Sequence, residues 1–254
     1  LVDASIHAEY TSCPPLWEWT ADFAQRHGLG MQVHISETQS EHENCWKKYG
    51  KTPVALLDQY GVWERGGIAA HCVWVSDQDM DIMAQKRITA VHNPVSNLKL
   101  ASGVARVPEM LALGVPVGLA VDGSASNDGS SLMEELRVCY LLHRLTSSEK
   151  APSGYQVLKM ATRGSARLLG REDIGQLAVG KCADLFLVDS RRLELVGGAY
   201  SPADVLATVG LRGPVDCTVV NGRVVVKEGH LVTIDEEKTA ADARKACGAY
   251  LAKA

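Results

Sequence analysis

The sequence predicts an α/β fold in which a parallel sheet is wrapped by helices and followed by a smaller antiparallel β unit and a terminal helix. Three observations carry this. Short apolar runs alternate five times with longer stretches of helical period over residues 2–145, the texture changes after Pro152, and Val-rich runs flank an Asn-Gly pair at 221–222. Apolar runs of strand length that are each followed by a helix mark βα units, and parallel strands covered this way close most economically as a barrel.

The units can be taken in order. VDASIH (2–7) precedes a helix over 15–27, GMQVHIS (30–36) precedes helical period over 41–60, and GIAAHC (67–72) precedes 77–86. ITAVHNP (88–94) is followed by 104–113, and VPVGLAVD (115–122) by 130–145. Two helical stretches, 153–163 and 164–169, close this part. GKCADLFLVD (180–189) and PVDCTVVNGRVVVKEGHLV (214–232) then read as strands, with the Asn-Gly pair as a tight hairpin turn. Residues 235–253 carry Ala, Lys and Leu at helical spacing and are expected to pack on the outside. The division expected is 1–170 for the barrel part, 171–234 for the small β part and 235–254 for the terminal helix.

Composition narrows the function. The 254 residues are 46% hydrophobic and 22% charged, enough for one large core. A net charge of -4 and a pI near 6.1 give none of the basic footprint that a phosphate backbone demands, so a small, roughly neutral substrate is expected rather than a nucleic acid polymer. No run of 18 apolar residues occurs, and the opening LVDASIHAEY lacks the basic and apolar regions of a signal peptide, so no membrane association is expected. Seven scattered cysteines without a CxxC pair suit reduced thiols and a cytoplasmic location.

The chemistry gathers at strand ends, where a barrel carries its active site. His7, His34, His71, His92 and Asp122 each end one of the five strands, and they include four of the eight histidines in the chain. A single histidine of this kind is most often structural, but the set points to a convergent polar site. Imidazole and carboxylate are the donors that suit zinc or a similar cation able to activate water. Glu37, three residues after His34, is placed either to shuttle a proton to a ring nitrogen or to serve as a charge at a helix N-terminus. Ser126 and Asn127, in the loop after Asp122, suit substrate contact or loop capping about equally.

These segments also carry a resemblance. VHISET, AAHC, HNPVSNLKL and VDGSASN resemble, in order, the strand-five to strand-eight motifs of the amidohydrolase superfamily. The branch they resemble holds cytosine, guanine, 8-oxoguanine and methylthioadenosine/S-adenosylhomocysteine deaminases and the triazine hydrolases. ATRGSARLLG, IGQLAVGKCADLFLVD and VVNGRVVVKEG extend the likeness over nearly the whole chain. The resemblance implies an amidohydrolase-type (β/α)8 barrel, strands four to eight in this chain, with a small β-sandwich domain. It implies one divalent metal, zinc or else ferrous iron, with His34 and Asp122 as ligands. Asp122 would also accept a proton, His71 would polarise the attacking water, and Glu37 would protonate the substrate ring. His7 stands in a PHAPYT-like motif, with Ile6 and Glu9 in place of its two prolines. His7, His92, Asn93 and Ser126 are expected against the substrate.

The His-x-His pair that the first strand of this family supplies to the metal occurs nowhere in the chain. The missing strands are therefore expected from an N-terminal segment of the same protein or from another polypeptide, and a homo-oligomer is expected. The reaction implied is hydrolytic deamination of a heterocyclic amine, with an aminated purine or pterin-like base as the first expectation. Methylthioadenosine/S-adenosylhomocysteine deamination and triazine-type hydrolysis are the alternatives. A catalytically silent relative is the non-enzyme reading.

Overall fold

The computed structural model describes residues 2–253. The chain divides into two compact units, one of Leu1–Glu172 with Ser201–Gly210 and one of Asp173–Tyr200 with Leu211–Ala254.

In the first unit, β1 (Ala4–Ser5), β2 (Met31–Ile35), β3 (Gly67–His71), β4 (Ile88–His92) and β5 (Val117–Leu119) pair in that order, every pair parallel. Sequential order with parallel neighbours requires a crossover between each pair, and helices supply it. These are α1 (Pro14–His27), α2 (Gln39–Tyr49) with α3 (Pro53–Gln59), α4 (Asp77–Lys86), and α5 (Pro94–Lys99) with α6 (Val107–Ala112), while α7 (Ser124–Asn127) and α8 (Leu132–Ser147) follow β5. The stretch read as one helix over 41–60 is two. Gly50 in the left-handed region (φ 64°) ends α2, and Pro53 with the Thr52 cap starts α3. α5 follows directly on β4 because Pro94 stands at its first turn.

The core lies in this unit. Met31, Val33 and Ile35 of β2 are buried, as is every residue of β4, and Trp17, Leu57, Trp63, Met80, Met83 and Leu136 pack around the sheet. A π-helical turn over Met160–Gly164, entered from α9 (Gly154–Lys159), and α10 (Ser165–Leu168) close against β5. A β-carbon on Gly164 would collide with the carbonyl of Val117, so the approach of this helix to the sheet depends on that glycine. α11 (Val205–Thr208), in a stretch the sequence reading assigned to the small β part, packs on α8 and α9 instead. The five strands form an arc with β1 and β5 as edges, and no barrel closes among the described residues.

The second unit holds one antiparallel sheet: β6 (Leu185–Leu187), β7 (Cys217–Val220), β8 (Arg223–Lys227) and β9 (His230–Leu231). Asn221 and Gly222, both with positive φ (48° and 77°), make the β7–β8 turn, the backbone that a two-residue hairpin needs. The sandwich expected here is represented by this single sheet among the described residues. α12 (Glu236–Leu251) buries no residue.

Candidate active site

The polar residues of the first unit meet just beyond the carboxyl ends of β1, β2, β3 and β5. Three of them sit on strained backbone: Ser36 (φ 46°), His71 (φ 70°) and Asp122 (φ 65°) are non-glycine residues in the left-handed region. Such positions cost energy and persist where the surrounding structure over-determines them.

His34 is fixed by its neighbour strand. Its backbone N–H and its ring Nδ1 both bond the carbonyl of His7, each at 2.9 Å. A carbonyl can only accept, so Nδ1 carries the proton and the Nε2 lone pair stays free. The His71 ring stacks on it, with centroids 5.4 Å apart. His71 is buried; its Nδ1 donates to Asn97 Oδ1 at 2.9 Å, which leaves Nε2 3.7 Å from Glu37 Oε2. Asn93 sits behind the same ring. In the amide orientation that satisfies both of its ends, it donates to the carbonyls of Ala120 (3.1 Å) and His92 (3.2 Å) and turns its oxygen toward His71 Nδ1 at 3.5 Å.

Glu37 is held from two sides. Its Oε1 accepts from Ser102 Oγ at 3.2 Å, and Trp74 Nε1 anchors the Ser102 carbonyl at 2.7 Å. Its own N–H and that of Ser36 donate to the two oxygens of Glu41, at 2.8 and 2.7 Å. Asp122 accepts from Ser96 Oγ at 2.6 Å and from the Gly123 N–H at 2.7 Å. Burial alone would raise the Asp122 carboxyl, but these two bonds and the nearby His71 and His34 rings hold it below the ordinary carboxylate range. His7 joins the group from β1, its ring 4.8 Å from that of His34. The Thr11 hydroxyl donates to the Ala8 carbonyl, so His7 Nδ1 donates to Thr11 (2.9 Å) and Nε2 is left free.

Of the other expected substrate contacts, His92 and Asn93 are buried and Ser126 is half-buried. His92 is buried in the core, its Nε2 3.2 Å from Nε2 of His143 on α8. Desolvation, with His143 and His71 nearby, pushes it well below the ordinary histidine range. A strand buried along its whole length directs its last residue into packing as readily as toward the mouth. Asn93 acts through His71. Ser126 lies in the short helix α7 after Asp122. Its neighbour Asn127 caps the Asp122 loop: it accepts from the Ser130 N–H and donates to the buried Glu135, which also accepts from Val95 N–H.

The donors fit a divalent cation. His34 offers a free Nε2 on a ring whose other nitrogen is already oriented by a carbonyl, and Asp122 offers an ionised carboxylate. A second cluster, His92 with Cys139 and His143, brings three donor atoms within 4.8 Å of one another. There both Nδ1 atoms are buried without a partner, and burial pushes the Cys139 thiol up to about 12, which describes a core histidine pair rather than a prepared ligand set.

Residues 2–225 match the amidohydrolase family, and the chain belongs to it. Within the family it falls in the metal-dependent deaminase branch. It is 41% identical over 240 residues to a 5-methylthioadenosine/S-adenosylhomocysteine deaminase of Pelotomaculum thermopropionicum, covering 94% of this chain and 55% of that protein. A 5'-deoxyadenosine deaminase of Methanosarcina acetivorans is 38% identical, over 98% of this chain and 57% of its own length. Among solved structures, a zinc-bound adenosine deaminase from Xanthomonas campestris superposes with a TM-score of 0.90 at 30% identity, over 95% of this chain and 55% of that one. The chain thus spans about half the length of the relatives it matches. The names of these relatives favour the adenosine-type alternative over the free purine or pterin base expected first.

Proposed function

We propose that the protein carrying this chain hydrolytically deaminates an adenosine modified at its 5′ position, such as a 5′-thioether or 5′-deoxy adenosine. The observation that carries the reading is the placement of Glu37 Oε2 3.7 Å from His71 Nε2, with His34 stacked on His71 and Asp122 held ionised beside them. Similarity to deaminases of 5-methylthioadenosine, S-adenosylhomocysteine and 5'-deoxyadenosine supports the substrate class.

In this reading His34 and Asp122 are part of the ligand set of one divalent cation. When bound, the cation supplies an acidified water at neutral pH. Asp122, ionised, would accept a proton from the attacking water, and His71 Nε2, with its Nδ1 fixed by Asn97, would orient that water toward the amine-bearing ring carbon. Glu37 delivers a proton to the adjacent ring nitrogen. Water and the aminated ring become the oxo ring and ammonia. His7 Nε2 is free to contact the nucleoside.

A substrate panel scored by ammonia release is the test: methylthioadenosine, S-adenosylhomocysteine, 5′-deoxyadenosine, adenosine, guanine, 8-oxoguanine and isoxanthopterin, with atrazine scored for chloride. Turnover strongest on the 5′-modified adenosines supports the reading. Turnover confined to free bases, or release of chloride alone, refutes it.

A further inference from the structure

Glu9 and Glu41 are two acids buried near one another. Glu9, in the 3-10 turn over Glu9–Thr11, is 3% exposed and Glu41, on α2, is 8% exposed. Glu9 Oε2 is buried without a hydrogen-bond partner, and the nearby Glu41 carboxyl, after burial itself, pushes the Glu9 carboxyl upward. Groups facing the pair are Glu37 from the turn after β2, Tyr10 beside Glu9, Cys45 one helical turn along α2 and Asp79 beyond it, with Lys48 at the solvent end of α2. Cys45 is held as a neutral thiol, its pKa pushed up to about 12 by burial and these acids, and Lys48 is fully exposed. Two carboxylates cannot both stay ionised in such a place, so one proton is shared.

What the ionised partner does is visible. Glu41 accepts the N–H groups of two successive residues, Ser36 at 2.7 Å and Glu37 at 2.8 Å, and so clamps a turn whose first residue lies in the left-handed region. Charge-assisted bonds of this kind are about twice as strong as neutral ones. Glu9 stands where the resemblance leads one to expect proline, which could donate nothing to Glu41.

We propose that Glu41 is a positioning residue that fixes the Glu37 carboxyl against His71 by clamping the Ser36–Glu37 turn, and that Glu9 holds Glu41 in place through a shared proton. This rests on the assignment of Glu37 above. The Glu9 proton has a pKa raised to about 8, chiefly by burial, so the clamp holds below that pH and loosens as pH rises through it.

The test combines amide hydrogen exchange at Ser36 and Glu37 with kcat, KM and their pH profiles in the metal-loaded protein. Loss of bonds to a charged acceptor should speed both amides in Glu41→Ala by about tenfold or more and lower kcat by a similar factor, with KM little changed. Should that variant not fold, Glu41→Gln keeps the size but only one acceptor oxygen, and one of the two amides should speed up. Glu9→Ala should show fast exchange already at pH 7. Glu9→Gln, whose amide donates at every pH, should restore protection and remove the loosening near pH 8. Protected Ser36 and Glu37 amides in the Glu41 variants, or identical behaviour of Glu9→Ala and Glu9→Gln across pH, would overturn the proposal. Exchange reads the clamp whether or not any substrate turns over, so a failure of the substrate reading remains distinguishable.

Discussion

His71 shows how much of the site is decided by single atoms. Asn97 settles which of its nitrogens is protonated, its backbone is held at positive φ, and the free Nε2 is thereby aimed at Glu37. His34 follows the same logic, with Nδ1 engaged and Nε2 left available, while both Asp122 oxygens are oriented by one donor each. These residues were legible because the strand period and the barrel rule place strand-terminal polar groups at one mouth. Ser96, Asn97, Ser102, Glu9 and Glu41, which orient them, were not, since each contact joins segments whose spacing encodes nothing. His143 was hidden for another reason: on an apolar helix it reads as a lone core histidine. Replacing Glu37 by Gln, which keeps shape but not the transferable proton, should lower kcat by roughly two to four orders of magnitude, as steady-state ammonia release would measure. His34→Ala should lose most of the bound metal in elemental analysis; full occupancy would remove His34 from the ligand set.

At the scale of elements, caps and turns do the positioning. Ser76 and Asp79 form a reciprocal capping box at the start of α4, with Asp79 also bonded to Thr52 at the start of α3. Ser76→Ala should therefore cost about 1 kcal/mol in chemical denaturation, in the range of N-cap losses. Glu135 joins α8 to Asn127 and to the first turn of α5, and so braces the Asp122 loop. The hairpin at Asn221–Gly222 was legible because that pair demands one turn type. The break between α2 and α3 was signalled by Gly50 and Pro53, and helical period alone passed over it. α11, by contrast, shows nothing in its sequence that would send it to α8 and α9.

Over the whole chain, five successive parallel strands and one four-stranded antiparallel sheet realise the predicted α/β plan, and no helix among the described residues is long and apolar enough to cross a membrane. The barrel was expected to be represented here by strands four to eight, and the arc of five parallel strands agrees with that count. Stability should carry the mark of the buried titratable groups. Burial raises Glu9 to about 8 and Glu135 to about 7, so their contribution is full below pH 4.5 and is lost as pH rises through 7 to 8. Burial lowers His143 to about 4, so its contribution is full above pH 6.5 and is lost as pH falls toward 4. The unfolding free energy, and with it the melting temperature, should peak between these limits and fall toward both sides, the free energy by on the order of 1 kcal/mol per pH unit per group. Glu135→Gln should flatten the alkaline side in calorimetry; an unchanged slope would mean that Glu135 is ionised in the fold.

In the proposed function, His34, His71, Glu37 and Asp122 form one hydrolytic site for a 5′-modified adenosine. The most direct measurement is ammonia release from methylthioadenosine by the metal-loaded protein, compared between the unaltered chain and Glu37→Gln under identical metal content. Clear turnover is expected in the first and loss of about a hundredfold or more in the second. Equal turnover in the two, or none from methylthioadenosine, S-adenosylhomocysteine or 5′-deoxyadenosine with metal fully loaded, would contradict it.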